Sequence, residues 1–163
     1  MDIGKVEKYQ RQWRESVQGK VSEPVLAVGI FNRRGSWGAV GLGYLSGAAS
    51  LLQWGRTKRR APGLPDKFLL AVTSTKVHAF GFRPAGTNIK VKDEHAVWDR
   101  STLRVTEGEG KVTDRLVLEP EGGSGDEERG RVEVESSKWG GDVNEPVVRL
   151  LQDPTLQDAG LAA

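Results

Sequence analysis

The residues best able to do chemistry are cationic. Between Pro24 and Pro65 the chain carries Arg33, Arg34, Arg56, Lys58, Arg59 and Arg60 and no acidic residue, a local charge of +6. Guanidinium and ammonium groups at that density suit phosphates, anionic lipid headgroups or an acidic protein surface. Trp37 and Trp54 lie in the same region. They are candidate membrane- or partner-contacting aromatics, because indoles favour bilayer interfaces. The opposite charge collects further on, where Glu107 to Glu135 holds ten acids against four bases. The net charge of +2 thus averages a basic front and an acidic back. Such asymmetry concerns steering and partners, not fold.

Other chemistry is poorly supplied. The 163 residues include no Cys and only two histidines, His78 and His95. Disulfides, thiolate nucleophiles, zinc ribbons and iron–sulfur clusters are therefore excluded. Asp93, Glu94 and His95 are consecutive and Asp99 follows, but neighbours on a strand point to opposite faces. The group reads as a polar turn and not as an acid–base pair. Asp126-Glu-Glu128 lacks the alternating ligand spacing of a calcium loop and reads as a solvated hairpin tip. Gly41-Leu-Gly43 makes no dinucleotide fingerprint, since the next glycine stands at 47 instead of 46. No catalytic residue, metal ligand or cofactor is expected. Nucleic acid is disfavoured as a partner, because no helix combines basic residues with a recognition pattern and the acidic half repels phosphates.

The elements that must position these residues follow from periodicity. Asp2 to Val17 is amphipathic, with Ile3, Val6, Tyr9, Trp13 and Val17 at helical spacing and Gly19 as the stop. Pro24 to Phe31 predicts a buried first strand, punctuated by Asn32-Arg-Arg-Gly35. Ser36 to Gly55 is twenty residues without a charge. A Gly-rich loop, a docked helix and a membrane-inserting segment all remain open for it. Five glycines dilute its few strongly apolar residues, so no transmembrane span is expected. Met1 to Lys20 is charged throughout and holds no apolar h-region, so no signal peptide is expected.

From Leu64 the pattern is β. Lys67–Val72 and Lys76–Phe82 flank a Thr73-Ser-Thr75 turn, and Val77, Ala79 and Gly81 alternate with His78, Phe80 and Phe82. Arg83 to Thr87 reads as a turn, followed by short strands at Asn88–Lys92, Ala96–Trp98 and Thr102–Thr106. Trp98 and Trp139 read as core or edge packing. Lys111–Glu119 and Arg131–Ser137 form a last hairpin with Leu116, Leu118, Val132 and Val134 inward. Asp142 or Asn144 caps a terminal helix, Pro146 falls in its first turn, and Val147, Val148, Leu150 and Leu151 form its apolar face. Residues 153–163 are expected to fray as a flexible tail.

Seven or so short antiparallel strands and one closing helix predict a mainly β fold, a barrel or sandwich. Phe68-Leu-Leu-Ala-Val-Thr73 with Lys76-Val-His-Ala-Phe80, and the closing Asn144-Glu-Pro-Val-Val-Arg-Leu-Leu151, resemble the bacterial pleckstrin-homology-like family. The resemblance covers residues 22–152, with a Gly-rich insertion at 35–63 and a helical extension at 1–20. It implies a bent seven-stranded barrel and a binding or scaffolding role without catalysis. It also implies basic residues around the first strand–loop–strand unit, where Arg33, Arg34 and Lys58-Arg-Arg60 stand. With Arg56 these six are read as a general anion patch. The expected partner is an anionic lipid surface or an unidentified protein, and the expected location is the cytoplasm, in one version against the inner face of the membrane. The alternative is a protein-interaction module that uses the N-terminal helix or an exposed barrel edge.

Overall fold

The computed structural model describes residues 2–33, 64–107, 115–120, 132–136 and 141–158. Helix α1 spans Ile3–Gln18, with the Asp2 side chain accepting from the Gly4 N–H at its start and Gly19 at its end. Its buried face is Val6, Gln10, Trp13 and Val17. Ile3, expected on the apolar stripe, is 75% exposed. Seven strands follow: β1 Val25–Arg33, β2 Lys67–Thr73, β3 Lys76–Ala85, β4 Asn88–Asp99, β5 Leu103–Glu107, β6 Arg115–Pro120 and β7 Val132–Ser136. Helix α2, Gly141–Gln152, closes the described chain.

All neighbours pair antiparallel, in the order β4-β3-β2-β1-β7-β6-β5. The mainly β expectation is met, but the sheet is not closed into a barrel: β4 and β5 are its two edges. The two edges are joined by the turn at residues 100–102 and not by a ladder. α2 touches β1, β2 and, at the far edge, β5. Arg100, in the turn between β4 and β5, donates through Nε and Nη2 to the Leu150 carbonyl and through Nη2 to that of Asp153. Its guanidinium is buried, which lowers its pKa, and it occupies the end of a helix where a cation is favoured.

Apolar residues fill both faces of the sheet. One cluster joins Phe31, Phe68, Leu70, Val77 and Ala79 to Leu116, Leu118, Val132 and Val134, all capped by Val147, Leu150 and Leu151. The four inward residues expected of the last hairpin are all here. A second cluster packs Val6, Trp13 and Val17 against Val28, Ile30, Leu69, Phe80 and Ile89. α1 is thus part of the core.

Several boundaries differ from the sequence reading. β1 continues through Asn32 and Arg33, because both pair on to Lys67, Glu135 and Val134. β4 runs unbroken through Asp93, Glu94 and His95, where a turn was expected, because two register shifts absorb extra residues against β3. Asn144 is no cap but lies buried in the body of α2 together with Pro146.

The role of Asn144 explains its burial. β7 pairs only with Phe31, Asn32 and Arg33 of β1, which leaves the backbone of Val28 and Ile30 facing an open slot. Two side-chain amides fill it. Gln10 donates to the Val28 carbonyl at 2.7 Å and accepts its N–H at 3.1 Å. Asn144 does the same at Ile30, at 2.6 and 2.9 Å. A carboxamide presents one N–H and its C=O side by side, as a strand residue presents its own N–H and C=O to a neighbour, so each replaces a residue of the missing strand. Gln10 also reaches the Val143 carbonyl, and Asn144 the Ser136 hydroxyl.

Gly29 lies between these two anchor points, and a Cβ there would stand 2.8 Å from Asn144 Oδ1 and 2.8 Å from a Phe31 ring carbon. Gln10→Ala and Asn144→Ala should each lower unfolding free energy by about 2–3 kcal/mol through orphaned backbone groups. Gly29→Ala should cost about 1–3 kcal/mol by overpacking. Urea titrations followed by circular dichroism measure all three. A double-mutant cycle of Gln10 and Asn144 should show coupling, since both hold one strand.

Candidate functional site

Of the six expected anion-binding residues, the structure places one. Arg33 is buried in β1, with its guanidinium 3.0 Å from Asp66 Oδ1 and 3.2 Å from the Leu64 carbonyl. Its own N–H donates to the Asp66 carbonyl at 2.8 Å. The residue fastens the end of β1 to the start of β2, where residues 34–63 leave and return. Its side chain is buried, and its charge is paired with the half-exposed Asp66 carboxylate. Arg34, Arg56, Lys58, Arg59, Arg60, Trp37 and Trp54 lie outside the described residues, as do Asp126–Glu128 and Trp139. Trp98 is partly buried against the core, as expected.

Two of the acid–base candidates, Glu94 and Asp99, are already engaged with strand neighbours. Glu94 does not meet His95; its carboxylate is 2.8 Å from His78 Nδ1 on β3, and the His78 ring stacks on Phe80. The His95 ring instead lies over Gly81. Asp99 pairs with Lys76, which raises the Lys76 pKa. Glu23 accepts from the Thr75 N–H and hydroxyl, and hydrogen bonds from Thr73 and Thr75 lower its pKa. No group of three His, Asp or Glu able to hold a metal occurs among the described residues.

The distal part of the β3–β4 pair gathers a different set. Gly86, at φ +63°, makes the turn a glycine favours, and from it Arg83 stands directly opposite Lys90. On the next outward position, the Lys92 Cβ would be 3.5 Å from a Cβ on Gly81, and His95 Nε2 3.1 Å from it. Alternate residues Phe82, Ile89 and Val91 face α1, so Arg83, Lys90 and Lys92 face away from it. Arg83 and Lys90 are exposed. None of the three forms an ion pair with a carboxylate among the described residues. Like charges directly opposite each other repel across a ladder, so the pair carries an unfavourable electrostatic contribution.

Sequence reading missed this face because it ended the strand at Phe82 and placed Arg83 in a turn. The Lys90-Val-Lys92 alternation was visible, but only the turn at Gly86 sets Arg83 against Lys90.

No protein-family model matches the chain, and no curated protein matches it in sequence.

Two outcomes test these assignments. Asp66→Ala should cost about 1–2 kcal/mol, between the exposed and buried limits for an ion pair, as read by urea denaturation. Glu23 has a lowered pKa in the fold, so its contribution is present above the unfolded carboxylate value, near 4.5, and fades as pH falls through the folded one. The melting-temperature gap between wild type and Glu23→Gln should therefore narrow in acid below pH 4.5 and stay constant near neutrality.

Proposed function

We propose that the chain is a non-catalytic binding module of pleckstrin-homology-like architecture. In this reading it recruits an anionic partner, an anionic bilayer surface foremost, through Arg34, Arg56, Lys58, Arg59 and Arg60. The observation that carries it is the Arg33–Asp66 fastening. It holds residues 33 and 64–66 together, so the segment bearing the five cations is anchored at both ends to one place on a rigid sheet. Seven antiparallel strands and a terminal helix seated against both halves of the sheet support the architectural part. Among the described residues no helix is long and apolar enough to cross a membrane, so attachment in this reading is peripheral, from the cytoplasmic side.

A second reading makes the chain a protein-interaction module that uses the β4 edge. The observation in its favour is that β4 is a twelve-residue edge strand on which Val97 is 44% exposed. The two register shifts weigh against it, because bulges spoil the flat template that an added strand needs. The N-terminal helix offers less, since its apolar stripe is already buried. Deleting residues 1–20 would remove Gln10, Trp13 and Val17 from the core, so such a truncation unfolds the protein and cannot separate the readings.

Sedimentation with neutral and anionic vesicles, at low and moderate salt, tests the first reading. The wild type should bind anionic vesicles and release them as salt rises. R56E/K58E/R59E/R60E should weaken binding by at least about a hundredfold, at about 1 kcal/mol per basic residue. Wild type that stays in the supernatant under every condition sinks the membrane reading and leaves a protein partner.

A further inference from the structure

The β3–β4 pair beyond Phe80 is amphipathic in an unusual sense. Its inner face, Phe82, Ile89 and Val91, belongs to the core beneath α1. Its outer face carries Arg83, Lys90 and Lys92, with the His95 ring alongside over Gly81. The tip, Pro84 to Asn88, is exposed throughout and carries no charge. A small anion would need donors converging on one point, but here the cations are spread along a ribbon. A spread of cations fits an extended anionic plane, with the uncharged tip free to touch it. The charges also have no competing carboxylate pairs among the described residues, so no internal ion pair must break on docking.

We infer that this outer face of the β3–β4 ribbon is a second docking surface for an anionic bilayer, with Arg83, Lys90 and Lys92 as its contacts. The inference rests on the membrane reading of the preceding section and extends it to residues outside the 34–60 segment. The ribbon supplies a rigid patch, fixed by its ladder and by α1.

The full chain is tested by co-sedimentation with phosphatidylcholine vesicles, with and without phosphatidylserine, at low salt. R83Q/K90Q/K92Q should lower the partition onto phosphatidylserine vesicles by about a hundredfold. R83K/K90R/K92R should restore it, and neither variant should melt below the wild type, because the substitutions change side chains outside the core and the glutamine variant only removes the Arg83–Lys90 repulsion. Wild-type partition retained by R83Q/K90Q/K92Q overturns this inference and leaves the 34–60 reading standing. Loss in that variant, with R56E/K58E/R59E/R60E binding as wild type, supports the ribbon and overturns the 34–60 assignment. A wild type that binds no vesicle overturns both. Binding to a labelled DNA duplex without binding to vesicles also overturns the inference, in favour of a nucleic-acid face.

Discussion

β1 lies between β2 and β7, yet β7 reaches only its last three paired residues, Phe31 to Arg33. The peptide groups of Val28 and Ile30 would otherwise face the interior unpaired. An orphaned buried donor or acceptor costs about 1–3 kcal/mol, and four such groups would consume much of a net stability of about 5–15 kcal/mol. Gln10 and Asn144 satisfy all four. The two residues come from opposite ends of the chain. Their bonds therefore do more than fill a gap, because they seat both helices on the same strand, two residues apart. The rest of the fold is arranged around that seat: α2 lies across the sheet toward β5, and α1 lies over the other face.

The position of α1 decides which face of the β3–β4 ribbon meets water. Phe82, Ile89 and Val91 pack with Val6, Trp13 and Val17 in one cluster, and Ser16 adds a hydrogen bond to Asn88 at 3.2 Å. Strand alternation then turns Arg83, Lys90 and Lys92 outward. A slip of one residue would exchange the two sets. From Phe80 to Phe82 is two steps on β3, against three from Glu94 to Val91 on β4. The extra residue lets Val91 keep its place under α1 while Glu94 stays beside His78. The bulge therefore reconciles two local demands that a regular ladder could not meet together.

How much was legible in the sequence depends on whether the deciding contact was local. α1, the Thr73–Thr75 turn and the inward set Leu116, Leu118, Val132 and Val134 depend on periodicity and turn chemistry, and the structure has them where they were expected. Asn144 was misread because an Asn near a helix start is an ordinary cap; its true partner, Ile30, is 114 positions away. Gln10 is not one of the apolar residues at helical spacing in the first helix, and its partner, Val28, is 18 positions away. Asp93–His95 looked like a turn because polar triplets usually are, and only pairing with β3 keeps them in strand. Arg33 was counted with its basic neighbours, since nothing local marks Asp66 as its partner across the first connection.

Arg33 and Arg100 show why counting charges along a chain is a poor measure of a binding surface. Both are buried and held by groups that fix the backbone, Arg33 by Asp66 and Leu64, Arg100 by the carbonyls at the end of α2. A guanidinium suits that task, because its charge never titrates away and its several donors can tie separate segments together. The carboxylates of Glu23, Glu94 and Asp99 are likewise engaged with strand neighbours. On α1 the exposed cations alternate with Glu7 and Glu15, so the helix surface is mixed in sign. On the β3–β4 ribbon the register places Arg83 against Lys90 and turns Lys92 the same way, with no acid in the same rank. Repulsion there opposes folding, and the packing of Phe82, Ile89 and Val91 under α1 must outweigh it. The ribbon therefore carries a like-charge cost on its solvent-facing side.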